Sequence, residues 1–129
     1  MAGLGDTIIL PRPGAEKERL WILITGPDPQ TGEAIMVNLT SQRPHSDTTT
    51  ILQPGDHPFI DRPTVAFYAD ARFVNVALLD SSITRNVGRS HATASPALLR
   101  KLQSGLLASP FTPAKIKTAF AAATKAGLA

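Results

Sequence analysis

Three stretches of this chain carry side chains able to grip an anion or move a proton. The densest is Asn38-Leu39-Thr40-Ser41-Gln42-Arg43-Pro44-His45-Ser46-Asp47, which follows directly on an apolar run. Thr40, Ser41, Arg43, His45 and Asp47 supply hydroxyls, a guanidinium, an imidazole and a carboxylate. That set can bind phosphate and pass a proton. An ordinary polar hairpin loop has the same composition, so that reading stays open. The second stretch is Gln53-Pro54-Gly55-Asp56-His57-Pro58-Phe59. Its prolines and glycine hold the backbone tightly, and Asp56 beside His57 could keep the imidazole in the tautomer a general base requires. Neighbouring side chains often diverge, so the alternative is a rigid turn in which Asp56 caps backbone N–H groups and His57 packs on Phe59. The third is Arg19, with Glu16 and Glu18 close enough to pair with it. By itself it reads as a solvated residue where a strand begins.

Several reactive arrangements are missing. The chain has no P-loop, no GxGxxG, no GxSxG and no HExxH. With no cysteine, a disulfide scaffold, a thiolate metal site and a Cys nucleophile are excluded. His45, His57 and His91 fall in three separate loop-like segments, without the short paired spacing of a zinc site. Neither a metal nor a cofactor is expected.

The elements that must position these residues divide the chain in two. The first part is punctuated by Pro and Gly, and short β-branched or aromatic runs lie between. Thr7–Leu10, Leu20–Thr25, Ala34–Thr40, Thr49–Leu52, Thr64–Tyr68 and Phe73–Val76 each read as a strand. Their spacing suits a small antiparallel barrel or sandwich. Leu20-Trp21-Ile22-Leu23-Ile24 is apolar throughout, so both of its faces should be covered. Gly26-Pro27-Asp28-Pro29-Gln30-Thr31-Gly32 is rich in turn formers and predicts a hairpin to the next strand.

The C-terminal third reads as two helices. Ser95-Pro96 is an N-cap with Pro at the first helical position, and Leu98, Leu99, Leu102 and Leu106 recur at helical spacing until Gly105 weakens or ends the helix. Thr112-Pro113 repeats the start signal, Ile116, Phe120 and Ala123 continue the stripe, and Gly127 lies just past the end. Residues 81–94 read as an extended loop. The expected organisation is a mainly β core over residues 1–80, with residues 81–129 packed on the same domain as loop and helices.

The 129 residues suffice for one domain with a real core, and 43% hydrophobic content excludes full disorder. The longest strongly apolar run, Leu20–Ile24, falls far short of the roughly 20 residues that span a bilayer. Met1–Asp6 lacks the basic and apolar regions of a signal peptide, so a soluble, cytoplasmic protein with no membrane partner is expected. The net charge of +3 hides an asymmetry. Residues 1–80 hold six Lys/Arg against ten Asp/Glu, a balance of −4, whereas residues 81–129 hold seven Lys/Arg and no carboxylate, a balance of +7. Such a block marks either an acidic or nucleic-acid partner or helices whose lysines simply face water.

The order of short motifs resembles the MazF/PemK family of bacterial toxins over roughly residues 3–107. The resemblance lies in Gly5-Asp6 before a strand, Arg19 immediately before the strand Leu20–Thr25, and Leu39-Thr40-Ser41-Gln42 closing the next strand. A strand pair around Thr64–Val76 and a helix around Pro96–Leu107 follow in the same order. Leu20 stands where the family usually has proline after the arginine, and neither the Pro54–Phe59 segment nor the final helix has a counterpart in it.

The resemblance implies an SH3-like barrel, a homodimer and a protein antitoxin as partner. It also implies metal-independent cleavage of single-stranded RNA through the ribose 2′-hydroxyl. Arg19 and Thr40 would then be catalytic, with Ser41 and Gln42 adding hydrogen bonds to the substrate. The two polar stretches, rather than the resemblance, add His57 as a candidate acid or base and Arg43, His45 and Asp56 as candidate substrate-binding residues. The alternatives are an SH3-like module that binds protein or nucleic acid without catalysis, and an interaction protein whose helices bind a partner helix.

Overall fold

A computed structural model describes residues 1–11 and 18–129. Glu16, expected to compete for Arg19, lies outside the described residues. The described residues form a seven-stranded antiparallel sheet and three α-helices. The strands are β1 (Thr7–Leu10), β2 (Arg19–Leu23), β3 (Glu33–Ser41), β4 (Ile51–Leu52), β5 (Thr64–Ala66), β6 (Arg72–Asn75) and β7 (Arg89–His91). The helices are α1 (Val76–Thr84), α2 (Pro96–Ala108) and α3 (Ala114–Lys125). The six expected strands are all present; β2, β4 and β5 are shorter than their apolar runs and β3 is longer.

The sheet runs β4-β5-β3-β2-β1-β7, with β6 also on β3. The long β3 pairs with β2 on one side, and its other side takes β6 along its first half and β5 along its last residues. Among the described residues β4 and β7 do not pair with each other, so the sheet is not closed as the expected barrel requires.

One face of β2 is buried along its length, and the other is buried at Leu23 but only partly at Trp21. Leu20, Ile22 and Ile24 point into the larger core with Ile35, Val37 and Leu39. Leu23 and Trp21 face the opposite way, with Ile8, Ala34 and Met36. The larger core is closed by α2 and α3 through Leu98, Leu102, Leu106, Ile116 and Phe120. Leu102 and Leu106 are wholly buried, and truncating either to Ala costs about 2–5 kcal/mol. The smaller core is closed by Val76 and Leu79 of α1.

Ser95 caps α2 as expected, its hydroxyl accepting from the Leu98 N–H at 3.1 Å. Gly105 does not end this helix, which continues to Ala108. Its missing Cβ has another reason: an added carbon would collide with Thr50 Oγ1 and Tyr68 Oη. The buried Tyr68 hydroxyl donates to the Leu102 carbonyl at 2.9 Å and sits 2.7 Å from Thr50 Oγ1. Only a glycine lets α2 approach that pair so closely. Thr112 does not cap α3; its hydroxyl donates back to the Leu106 carbonyl at 2.7 Å. Gly127, at φ 74°, ends α3. Its N–H bonds Thr124 O while that of Leu128 bonds Ala123 O, the paired pattern of a left-handed helix stop.

The expected loop over residues 81–94 is instead the end of α1 and the strand β7. Asn75 caps α1 by accepting from the Leu78 N–H. The helix itself, Val-Ala-Leu-Leu-Asp-Ser-Ser-Ile-Thr, is full of weak helix formers, so propensity hid it. β7 has no apolar alternation; it exists because β1 offers it an unpaired edge.

Candidate functional site

Side chains alternate along a strand, so Arg19 and Trp21 of β2 share a face with Met36, Asn38 and Thr40 of β3. This is the α1 face of the sheet, where Leu23, Ala34 and Met36 are buried with Val76 and Leu79 at one end while Arg19, Trp21 and Thr40 are only partly covered. At the other end Arg19 donates from Nη1 to Asn38 Oδ1 at 2.8 Å, and Asn38 Nδ2 donates to Asp70 Oδ2 at 2.8 Å. Arg72 pairs with the same Asp70 carboxylate. The Arg19 guanidinium lies over Phe67, 5.5 Å from the ring centre, and that of Arg72 over Trp21, at 5.1 Å. Asn38 is completely buried. With both ends of its amide bonded, it fixes the two guanidinium groups relative to each other.

Beside this network a cleft of about 540 Å³ is lined by Glu18, Arg19, Leu39, Thr40, Ser41, Arg43, Phe59, Asp61, Arg62 and Thr64. Three guanidinium groups face two carboxylates here, so the cleft is net positive although residues 1–80 are net acidic. The basic C-terminal region contributes as well. Arg89 of β7 reaches Glu18 with both of its terminal nitrogens, at 2.8 and 3.2 Å, and neutralises one of the carboxylates flanking Arg19. Arg62 pairs with its neighbour Asp61 at 3.0 Å.

The structure thus brings Arg19, Thr40, Ser41 and Arg43 to one cleft. The other expected residues lie elsewhere. Gln42 extends the β3–β5 ladder by donating its N–H to Pro63 O at 3.0 Å, and its exposed side chain does not line the cleft. His45 is exposed in a turn closed by Ser46, whose hydroxyl accepts from the Arg43 N–H at 2.7 Å. Asp47 turns toward the helices. Its carboxylate accepts from Ser109 Oγ at 2.6 Å and from the hydroxyl and N–H of Thr49. Burial alone would raise its pKa, but these hydrogen bonds outweigh it and hold the group below the ordinary carboxylate value.

Asp56 and His57 diverge. Asp56 accepts from the Gln53 N–H at 2.8 Å and is exposed. His57 is buried, its Nδ1 accepting from the Phe59 N–H at 3.0 Å and its Nε2 lying 2.6 Å from the Ala92 carbonyl. Those partners define the tautomer with the proton on Nε2, and both nitrogens are committed to backbone. The ring clips the 53–60 turn to the chain beyond β7 and holds Phe59 at the cleft.

Asp61, Arg62, Trp21, Asn38, Asp70 and Arg72 were not singled out from the sequence. The period of two along β2 and β3 was the available signal for Trp21 and Asn38. Nothing local pointed to the others, which tertiary folding brings in from the β4–β5 connection, the turn before β6 and the start of β6 itself. No protein-family model matches this chain, and no curated protein matches it either.

Proposed function

We propose that the cleft beside Arg19 binds single-stranded RNA and cleaves it without a metal, as a divergent relative of the MazF/PemK toxins would. The observation that carries this reading is the convergence of Arg19, Thr40, Ser41 and Arg43 on one net-positive cleft. In the proposed reaction the ribose 2′-oxygen forms a bond to phosphorus, the bond to the 5′-oxygen breaks, and a cyclic phosphate remains. Arg19, held by Asn38, offers its donor fork to the phosphoryl oxygens as charge builds on them. The Thr40 and Ser41 hydroxyls hold a phosphate oxygen, and Arg43 and Arg62 attract the backbone on either side. Asp61, which pairs with Arg62, is the carboxylate of the cleft assigned to take the 2′-hydroxyl proton. The departing 5′-oxygen takes its proton from water.

On this reading the open sheet is a modified SH3-like barrel, the working unit is a homodimer in the cytoplasm, and a protein antitoxin would cover the cleft. No helix among the described residues is long and apolar enough to cross a membrane. Purified protein incubated with single-stranded RNA and a chelator tests the proposal. Cleavage leaving cyclic phosphate ends is expected. Arg19→Ala should slow it on the order of a hundredfold or more, the usual effect of losing a charge-stabilising donor. RNA left intact at every sequence tried overturns the enzyme reading.

One observation favours a second reading, a module that binds RNA without cutting it. The imidazole expected to move protons has both nitrogens bonded to backbone. Salt-sensitive RNA binding with no cleavage would decide for that module.

A further inference from the structure

The network around Asn38 does more than fix Arg19. On its far side a second recess, of about 240 Å³, is lined by Leu10, Pro11, Arg19, Trp21, Met36, Asp70 and Arg72. Arg19 therefore forms a wall of both hollows. Trp21 is half-buried and packs against the smaller core. What lies over its ring is the guanidinium of Arg72, a side chain more than half exposed. Core packing accounts for one side of the indole, but not for an exposed guanidinium over its ring in a recess that also holds Arg19 and Asp70. The recess has the parts of a platform for a planar, electron-rich ring joined to a phosphate: an aromatic surface, a cation to cover it, and a second cation at phosphate reach.

We infer that this recess is a stacking subsite for one unpaired nucleobase of the strand bound in the neighbouring cleft, with Trp21 as the platform and Arg72 as its cover. The inference rests on the RNA reading above and adds the path of the strand: backbone at Arg19, base toward Trp21. The base slides between indole and guanidinium, exchanging the cation–π contact for two stacking contacts. Asp70, already oriented by Asn38 and Arg72, can accept from an amino group on the base edge.

Trp21 is the one tryptophan of the chain, so its fluorescence reports on this recess alone. The probe is a short fluorescein-labelled 2′-O-methyl oligoribonucleotide, which binds but cannot be cleaved, titrated into the intact protein at low ionic strength. Label anisotropy measures binding, and the unlabelled oligonucleotide is used to read tryptophan emission. Saturable quenching of Trp21 at the concentrations that raise the anisotropy is the expected result. Arg72→Gln, a substitution at an exposed position, should weaken binding roughly fivefold or more, the scale of one lost stacking contact. Trp21→Ala should weaken it by a similar or larger factor, and Trp21→Phe should recover part of the loss. An oligonucleotide with an abasic site at every position should bind more weakly and leave the emission unchanged. Binding by anisotropy without any change in Trp21 emission, or Arg72→Gln binding as tightly as wild type, overturns the subsite and leaves the RNA reading standing. No binding at all removes the RNA reading and the subsite with it.

Discussion

The two faces of the sheet use their polar side chains in opposite ways. On the face closed by α2 and α3, Tyr68 and Thr50 bond each other and the helix backbone. At the margins of that packing His57 clips one loop to another, and Asp47 ties its loop to Ser109. These groups are buried or half-buried, and their hydrogen-bonding capacity is directed inward. On the less covered end of the α1 face, Arg19 bonds Asn38, Asn38 bonds Asp70 and Arg72 pairs with Asp70, yet the two arginine side chains stay partly exposed. A closed face must satisfy every polar group internally, since an unmet one costs about 1–3 kcal/mol. An uncovered face can keep its charge in water and present it to a ligand. The chemistry of a residue is therefore a poorer guide to its role than which face it is on.

If that contrast is right, the closed face should respond strongly to substitution in stability and weakly in ligand binding. The largest effect is expected at Gly105. Gly105→Ala places a methyl against Thr50 Oγ1 and Tyr68 Oη and should cost roughly 3 kcal/mol or more, well beyond the helix propensity gained. Denaturant unfolding measures it, and a stable variant would show that α2 can shift freely.

Tyr68 provides the next largest effect. Burial raises its hydroxyl pKa to about 12; the Thr50 hydrogen bond opposes this, and the nearby Asp47 charge reinforces it. Because the folded value lies above the ordinary value of 10.0, the contribution is complete below about pH 10 and is lost as pH rises toward 12. Roughly 2 units correspond to about 3 kcal/mol across that window. Tyr68→Phe should flatten the alkaline limb of the stability profile, although it starts from lower stability.

His57→Gln separates the two faces most directly. It should lower stability by about 1–3 kcal/mol through the lost backbone bonds, while cleavage or RNA affinity per folded molecule stays near wild type. A large loss of activity in a folded variant would return the imidazole to the site. The smallest effect is expected at Asp47. Its pKa lies below the ordinary 3.8, so its contribution is present above that value and disappears as pH falls through the folded one. Asp47→Asn should therefore lose the most stability near neutral pH and little in strong acid, as unfolding across the acid range would show.

Much of the framework was legible in sequence because it depends on local physics. Turn formers separate the strand runs, the Ser95 cap and Pro96 open α2, and the Gly127 stop closes α3. The unbroken apolar run of β2 required cover on both faces, which the structure gives fully on one and in part on the other. α1 escaped notice because weak helix formers build it and packing of Val76 and Leu79 sustains it. β7 escaped because its reason for pairing belongs to β1, at the opposite end of the strand order in sequence. Gly105 looked like a helix breaker, since nothing local reveals that Tyr68 lies against it.

The candidate site divides in the same way. Sequence order alone selected Arg19, Thr40, Ser41 and Arg43, and strand alternation with the β2–β3 hairpin was enough to put Arg19 and Thr40 on one face. Only the tertiary structure sent His57 and Asp47 into structural bonds, brought Asp61 and Arg62 to the cleft, and carried Arg89 from the basic region to Glu18. Residue type and periodicity are properties of a segment. Which charges meet, and which are sealed from water, depends on contacts between segments far apart in the chain, and those exist only once it has folded.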